Sequence, residues 1–88
     1  MNPELFPFGS LAGSTMRELG RVNAVASYEL RKALEAMVEA APHPRDYIGQ
    51  DERYQAARSE HLTNIKTIRD LTNAYEEKAM YCFAREPR

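Results

Sequence analysis

The residues of this chain best suited to chemistry lie in a short proline-bounded segment, where residues 42–47 read Pro-His-Pro-Arg-Asp-Tyr. The prolines restrict the backbone. Arg45 offers a planar guanidinium that can hold a carboxylate or phosphate with two hydrogen bonds, and Tyr47 offers an aromatic face with a polar tip. This combination is typical of a site for an anionic ligand. The alternative is a structural turn, in which Asp46 holds Arg45 and Tyr47 covers the end of a helical core.

Two further groups could contribute to such a site. Arg58 and Arg69 are predicted on one helical face, around an apolar patch, where they would either grip an anion or form intersubunit salt bridges. Ser14 and Thr15 join a Gly/Ser-rich stretch to a helix start, which favours anions. The stretch is not a P-loop, since Ser14 stands where that motif needs lysine, and a simple capped helix is the alternative. The ligand-binding hypothesis combines these residues: Arg45, Tyr47, Arg58, Arg69, Ser14 and Thr15.

No pattern typical of catalysis or metal binding is found. The single cysteine, Cys82, excludes an internal disulfide and a multi-cysteine zinc site. His43 and His61 lack the spacing of metal ligands. We interpret His61 as a hydrogen-bonded residue on the inner side of a helix and Cys82 as a small buried residue. We therefore expect no catalytic residue, no metal and no cofactor, and a protein that acts by binding.

Two long helices must position these residues. Thr15 and Glu18 form a capping box, and prolines end the first helix, so it is predicted over about 16–41. The second helix is predicted over about 52–83, with Asp51 as its cap and a turn over 42–51. Apolar residues recur at steps of three and four in both helices, which is the period of a helix–helix seam. The first stripe is Leu19, Val22, Ala26, Leu30, Ala33, Met37 and Ala40. The second is Tyr54, Ala57, His61, Ile65, Ile68, Thr72, Tyr75, Ala79 and Cys82.

The predicted fold is an all-α antiparallel two-helix hairpin, residues 14–86, preceded by an N-terminal arm, residues 1–13. Two helices share one contact line and leave wide stripes exposed, so we expect a homo-oligomeric bundle. The arm carries large apolar side chains, including Leu5 and Leu11, and is predicted to pack on a helix or a neighbouring subunit; a flexible leader is the alternative. The predicted interface residues are Phe6, Phe8, Leu30, Met37, Leu62, Ile65, Ile68 and Tyr75.

Composition narrows the class of protein. The chain has 88 residues and a net charge of −1, from twelve basic and thirteen acidic side chains. A near-neutral chain without a distinctly basic helix is unsuited to DNA binding. There is no apolar run long enough to span a membrane and no signal-peptide pattern. We expect a cytoplasmic protein.

The turn His43–Tyr47, the run from Tyr54 to His61 and the Ile65/Ile68 repeat resemble small helical-hairpin proteins of tailed bacteriophages, over about residues 34–75. The architecture is also similar to phage sponges of cyclic oligonucleotides, although no binding residues carry over. The resemblance implies a non-enzymatic accessory protein in the infected cell, an anti-defence factor that sequesters an anionic cyclic nucleotide between subunits. The alternatives are an inhibitor that docks on a host defence complex and a small structural or assembly oligomer.

Overall fold

A computed structural model describes residues 15–85, and these form two long helices. Helix α1 covers Met16–Glu39 and helix α2 covers Asp51–Ala84, with a short 3-10 turn, Pro44–Tyr47, between them. The two helices pack against each other as a hairpin, which confirms the predicted all-α hairpin. Their bounds differ from the predicted ones by two residues or fewer. The arm with Phe6 and Phe8, and also Ser14, lies outside the described residues.

Helix α1 begins where the capping residues predict. The hydroxyl of Thr15 accepts a hydrogen bond from the backbone N–H of Glu18, at 3.1 Å. The helix ends before the prolines, and the chain enters the 3-10 turn, where Nδ1 of His43 accepts from the backbone N–H of Arg45 at 3.1 Å. The local signals at both ends of α1 therefore act as the sequence indicates.

The start of α2 differs from the prediction. Asp51 was expected to cap this helix, but it is the first helical residue, and Gln50 before it makes no side-chain capping bond. Asp51 and Glu52 instead lie in the first turn, where their charges favour the positive end of the helix dipole. Gly49 has a φ of 75°, a conformation that non-glycine residues adopt at a cost, and this positive φ redirects the chain into α2.

Two contacts between the helices set their register. The guanidinium of Arg31 lies 3.0 Å from the carboxylate of Glu76, and the ring of Phe83 lies against Gly20. Since both helices rise by about 1.5 Å per residue, the end of α1 at Glu39 lies opposite about residue 66 of α2. Residues 51–65, here called the overhang, therefore extend about 22 Å beyond α1. Residues 16–39 and 66–84 form the paired segment.

The hairpin is elongated. Its radius of gyration is 18.4 Å and its extents are 62 × 22 × 19 Å. A compact domain of this length has a radius of gyration of about 12 Å. The shape follows from two helices that lie side by side, with no third layer among residues 15–85.

The seam between the helices follows the predicted stripe on α2 but not on α1. All nine predicted α2 positions, from Tyr54 to Cys82, are buried or half-buried. On α1 the prediction was wrong for three residues, because Val22, Ala33 and Ala40 are exposed. Asn23 lies half-buried next to the first of them. The apolar face of α1 is wider than the seam, so α2 decides which part of it is covered.

Polar side chains in the seam form hydrogen bonds within their own helix. The amide of Asn23 donates to the carbonyl of Leu19 at 2.7 Å, and the hydroxyl of Thr72 donates to the carbonyl of Ile68 at 2.7 Å. Each bond removes the penalty of an unpaired polar group. Thr72 can therefore be 3% exposed without a partner on the other helix.

The buried core is very small and lies entirely in the paired segment. Among residues 15–85, four residues are buried: Gly20, Thr72, Ala79 and Cys82. A Cβ atom added at Gly20 would lie 2.7 Å from the Phe83 ring, so the glycine permits this close approach. The hairpin thus has a thin seam and little interior.

Candidate interaction surfaces

The residues of the predicted anion site are not brought together within one chain. Thr15 precedes α1 and Arg45 follows it, so the 24 residues of α1, about 36 Å, separate them. Thr15 also uses its hydroxyl as the helix cap. A site combining these residues would therefore need several copies of the chain, as the sequence-based hypothesis supposed.

The turn holds Tyr47 but leaves Arg45 exposed. The Tyr47 ring is half-buried and lies 5.8 Å from the Tyr54 ring of α2, with the two planes inclined by 53°. Tyr47 therefore covers the first turn of α2, as in the structural-turn alternative. Asp46 does not hold Arg45, since no ion pair joins these two residues in the structure. Arg45 itself is exposed.

Arg58 and Arg69 lie on the overhang and just beyond it, about 16 Å apart along the α2 axis. Both are exposed, and Leu62 between them is 52% exposed. Within residues 15–85 the ion pairs are Arg31–Glu76, Lys32–Glu29 and Lys66–Asp70, so neither arginine has an acidic partner there. This flank therefore presents two unpaired guanidinium groups around an apolar side chain.

The predicted oligomer interface overlaps the seam of a single chain. Five of its members are half-buried in the hairpin: Leu30, Met37, Ile65, Ile68 and Tyr75. Leu62 is exposed, and Phe6 and Phe8 lie outside the described residues. The apolar residues most available to another molecule are different ones, with Ile48 at 84% and Met80 at 64% the most exposed.

A groove that the sequence reading did not identify runs along one flank of the paired segment. It has a volume of about 320 Å³. Its lining includes three partly exposed large side chains, which are Tyr28, Met80 and Phe83. Small side chains also line it, namely Ala24, Ser27 and Ala79. The sequence signal that could have revealed it is the run of small residues at positions 20, 24 and 27, which allows α2 to approach α1 closely.

The ion pair Arg31–Glu76 marks the end of the groove nearer the middle of the hairpin. At the other end Phe83 contacts Gly20, one turn after the start of α1. The groove therefore lies near the end of the hairpin where residues 1–14 join the chain. Its surface combines apolar contact area with one exposed, mutually neutralised charge pair.

Cys82 has the environment of a packing residue. Its side chain is 0% exposed, and burial raises the pKa of its thiol, with the Arg85 guanidinium acting in the opposite direction. A buried thiol with a raised pKa is a poor nucleophile. No cluster of three potential metal-ligating side chains occurs in residues 15–85.

His61 departs from its predicted role. It is half-buried on the seam side of the overhang, but its ring makes no hydrogen bond to any residue that the structure describes. No helix in the described part of the chain is long and apolar enough to cross a membrane.

Comparison of the chain with protein-family models, with curated proteins and with solved structures gave no match.

Proposed function

We propose that this chain acts by binding, as a self-associating helical hairpin with no catalytic activity. The observation that carries the proposal is the overhang, because no second helix among residues 15–85 covers the inner side of its four turns. Of these residues, only the loop and the 3-10 turn lie near it, through contacts such as Tyr47 with Tyr54. A helix from a second chain would supply the missing layer and extend the seam of the paired segment.

The side chains of the overhang fit this role. Ala57, His61 and Ile65 are half-buried on its inner side, and Leu62 is exposed beside them. Each Å² of apolar surface that a partner removes from water contributes about 25 cal/mol to the free energy of association. A second copy is the simplest partner with a matching stripe, and closed symmetry would bury both overhangs at once.

The test is sedimentation equilibrium of the full chain and two matched variants. Leu62→Asp places a charge in the proposed interface, whereas Thr63→Asp places the same charge at an exposed polar position on the outer side of the overhang, about 160° from His61 around the helix axis. We expect the wild type and Thr63→Asp to associate and Leu62→Asp to dissociate, with helix content preserved. A wild type that stays at 10.1 kDa at all accessible concentrations contradicts the proposal.

The phage resemblance of the turn and of the run after it favours a role against host defence for this oligomer. In the protein-inhibitor form of this proposal, exposed apolar side chains around the turn, with Ile48 the most exposed, would contact a host protein. Exposed large apolar residues at a rigid turn suit such docking.

A second candidate function is sequestration of an anionic cyclic nucleotide between subunits. The observation that favours it is the absence of acidic partners around Arg45, Arg58 and Arg69 within the described residues. A guanidinium without an internal partner is available for two hydrogen bonds to phosphate.

Calorimetry against a panel of cyclic di- and trinucleotides tests this candidate. Arg58→Ala should weaken binding about ten- to hundredfold, as expected for loss of a charge-assisted hydrogen bond. Lys66→Ala is the control, since Lys66 is already paired with Asp70 at 2.8 Å and should change binding little. If no nucleotide of the panel gives a measurable heat of binding, and if the tagged chain recovers a host protein, the protein-inhibitor proposal is favoured.

A further inference from the structure

We propose that the groove beside Tyr28, Met80 and Phe83 is the docking site for residues 5–8 of the same chain, Leu-Phe-Pro-Phe. The proposal does not depend on self-association, because the groove and the overhang lie in different parts of the hairpin. It assigns a function to an exposed apolar groove of the paired segment.

The length of the N-terminal chain matches the position of the groove. The groove runs from about Ala24 to Arg31, which is about 14–24 Å along α1 from Thr15. A chain that reverses direction at Gly13 and continues extended covers about 3.3 Å per residue. Phe8 then reaches about 16 Å along α1 and Leu5 about 26 Å. Residues 5–8 therefore fall along the groove.

The sequence of the segment suits this path. Gly13 permits the reversal, because glycine adopts turn conformations that other residues avoid. Pro7 has no N–H group and favours an extended backbone, so the segment leaves fewer donors unpaired in an apolar groove. Its three other residues are large and apolar.

The groove offers matching chemistry. Met80 is 64% exposed and Phe83 is 46% exposed, so both have free surface for aromatic side chains. Thioether sulfur makes favourable contacts with aromatic rings, and aromatic pairs add to simple area burial. Arg31 and Glu76 neutralise each other at the groove end, so an uncharged segment meets no unpaired charge.

Covalent attachment favours the segment of the same chain over a second copy. A short flexible linker gives an effective concentration in the millimolar range, which exceeds ordinary protein concentrations. Weak individual contacts then suffice to cover the groove.

The test is methyl NMR of the full chain with 13C-labelled methionine. We expect the Met80 methyl resonance to move when Phe6 and Phe8 are both replaced by Ser, while the Met37 resonance, far from the groove on α1, stays in place. Asn2→Ser is the control for a polar change in the same arm and should leave Met80 unchanged. The single variant Phe8→Leu keeps the apolar character but removes one ring, so it should move Met80 while preserving the melting temperature.

A dilution series identifies the source of the docked segment. Docking within the chain predicts a Met80 resonance that does not depend on protein concentration. A Met80 resonance that the arm variants leave unchanged overturns the proposal. So does an arm-dependent resonance that returns to the value of the double variant on dilution, because the segment would then come from a second chain. Neither result bears on the Leu62→Asp test of self-association.

Discussion

The paired segment and the overhang are built from one continuous stripe of α2, yet they differ in burial. Thr72, Ala79 and Cys82 in the paired segment are buried, whereas Tyr54, Ala57 and His61 in the overhang are only half-buried. The local sequence does not explain the difference, since the spacing is the same in both. The difference arises because α1 covers one part of the stripe and ends before the other.

This contrast teaches that a good helical stripe creates a core only where a second helix lies against it. In the paired segment the stripe is used within the chain. In the overhang it remains available to a partner, which is why we place the proposed association there. Matched substitutions in the two regions should therefore have unequal effects.

The largest effect is expected from a charge placed in the stripe. Ala79→Asp introduces a carboxylate at a position that is 4% exposed, and a buried unpaired charge should cost on the order of 3–5 kcal/mol of unfolding free energy. Ala57→Asp makes the same change in the overhang and should cost about 1 kcal/mol in dilute protein, where no second chain covers the overhang. Urea denaturation followed by circular dichroism measures both. If Ala57→Asp costs as much and its cost depends on protein concentration, a second chain covers the overhang.

Thiol labelling should separate the two regions next. Cys82 should react with a thiol reagent about 100-fold more slowly in the folded chain than in urea, which corresponds to about 2.7 kcal/mol of protection. In dilute protein, where no second chain covers the overhang, a cysteine placed by Ala57→Cys in a Cys82→Ala background should be protected much less than Cys82. Equal native rates for the two cysteines would contradict the difference in burial.

The Cys82 thiol should also make the free energy of unfolding depend on pH. Burial raises the pKa of Cys82, so the folded chain holds this proton more tightly than the unfolded chain. The contribution to stability is complete below the pKa of an ordinary thiol and is lost as pH rises through the raised value. The free energy of unfolding should therefore fall at alkaline pH, and Cys82→Ala should remove that part of the fall.

A smaller effect is expected at the contact between Gly20 and Phe83. Alanine favours a helix over glycine by about 1 kcal/mol. In the wild type this gain is offset, because the new Cβ would lie 2.7 Å from the ring and displace it. Gly20→Ala should therefore be neutral or destabilising in the wild type and stabilising by about 1 kcal/mol in a Phe83→Ala background. Thermal unfolding of the wild type, the two single variants and the double variant measures this change in the sign of the stability effect. If the sign does not change, the Phe83 ring moves away from the new Cβ freely.

The smallest effect is expected from the ion pair between the helices. The side chains of Arg31 and Glu76 are 56% and 46% exposed, so a double-mutant cycle with Arg31→Met and Glu76→Gln should give about 0.5 kcal/mol or less. The coupling should decrease in high salt. A coupling above about 1 kcal/mol would mean that charge, and not only burial, distinguishes the paired segment from the overhang.

Much of the fold could be predicted from the sequence, because its signals are local. The capping residues Thr15 and Glu18 and the prolines that follow α1 define its ends, and the absence of Gly and Pro from residues 51–84 allows one long α2. The candidate surfaces were harder to predict. The groove depends on which flank of α1 lies beside Met80 and Phe83, and no spacing within one helix contains that information.

By itself the sequence determined two helices, their approximate ends and the inner side of α2, since helical periodicity fixes the relative directions of residues in one helix. Only the tertiary structure decided the register of the helices, the length of the overhang and the choice of Asn23 over Val22 for the seam. The physical reason is that α1 has a broad face of small and apolar residues, on which several positions of α2 satisfy the same pattern. Only one of those registers brings Phe83 into close packing with Gly20 and Arg31 into contact with Glu76.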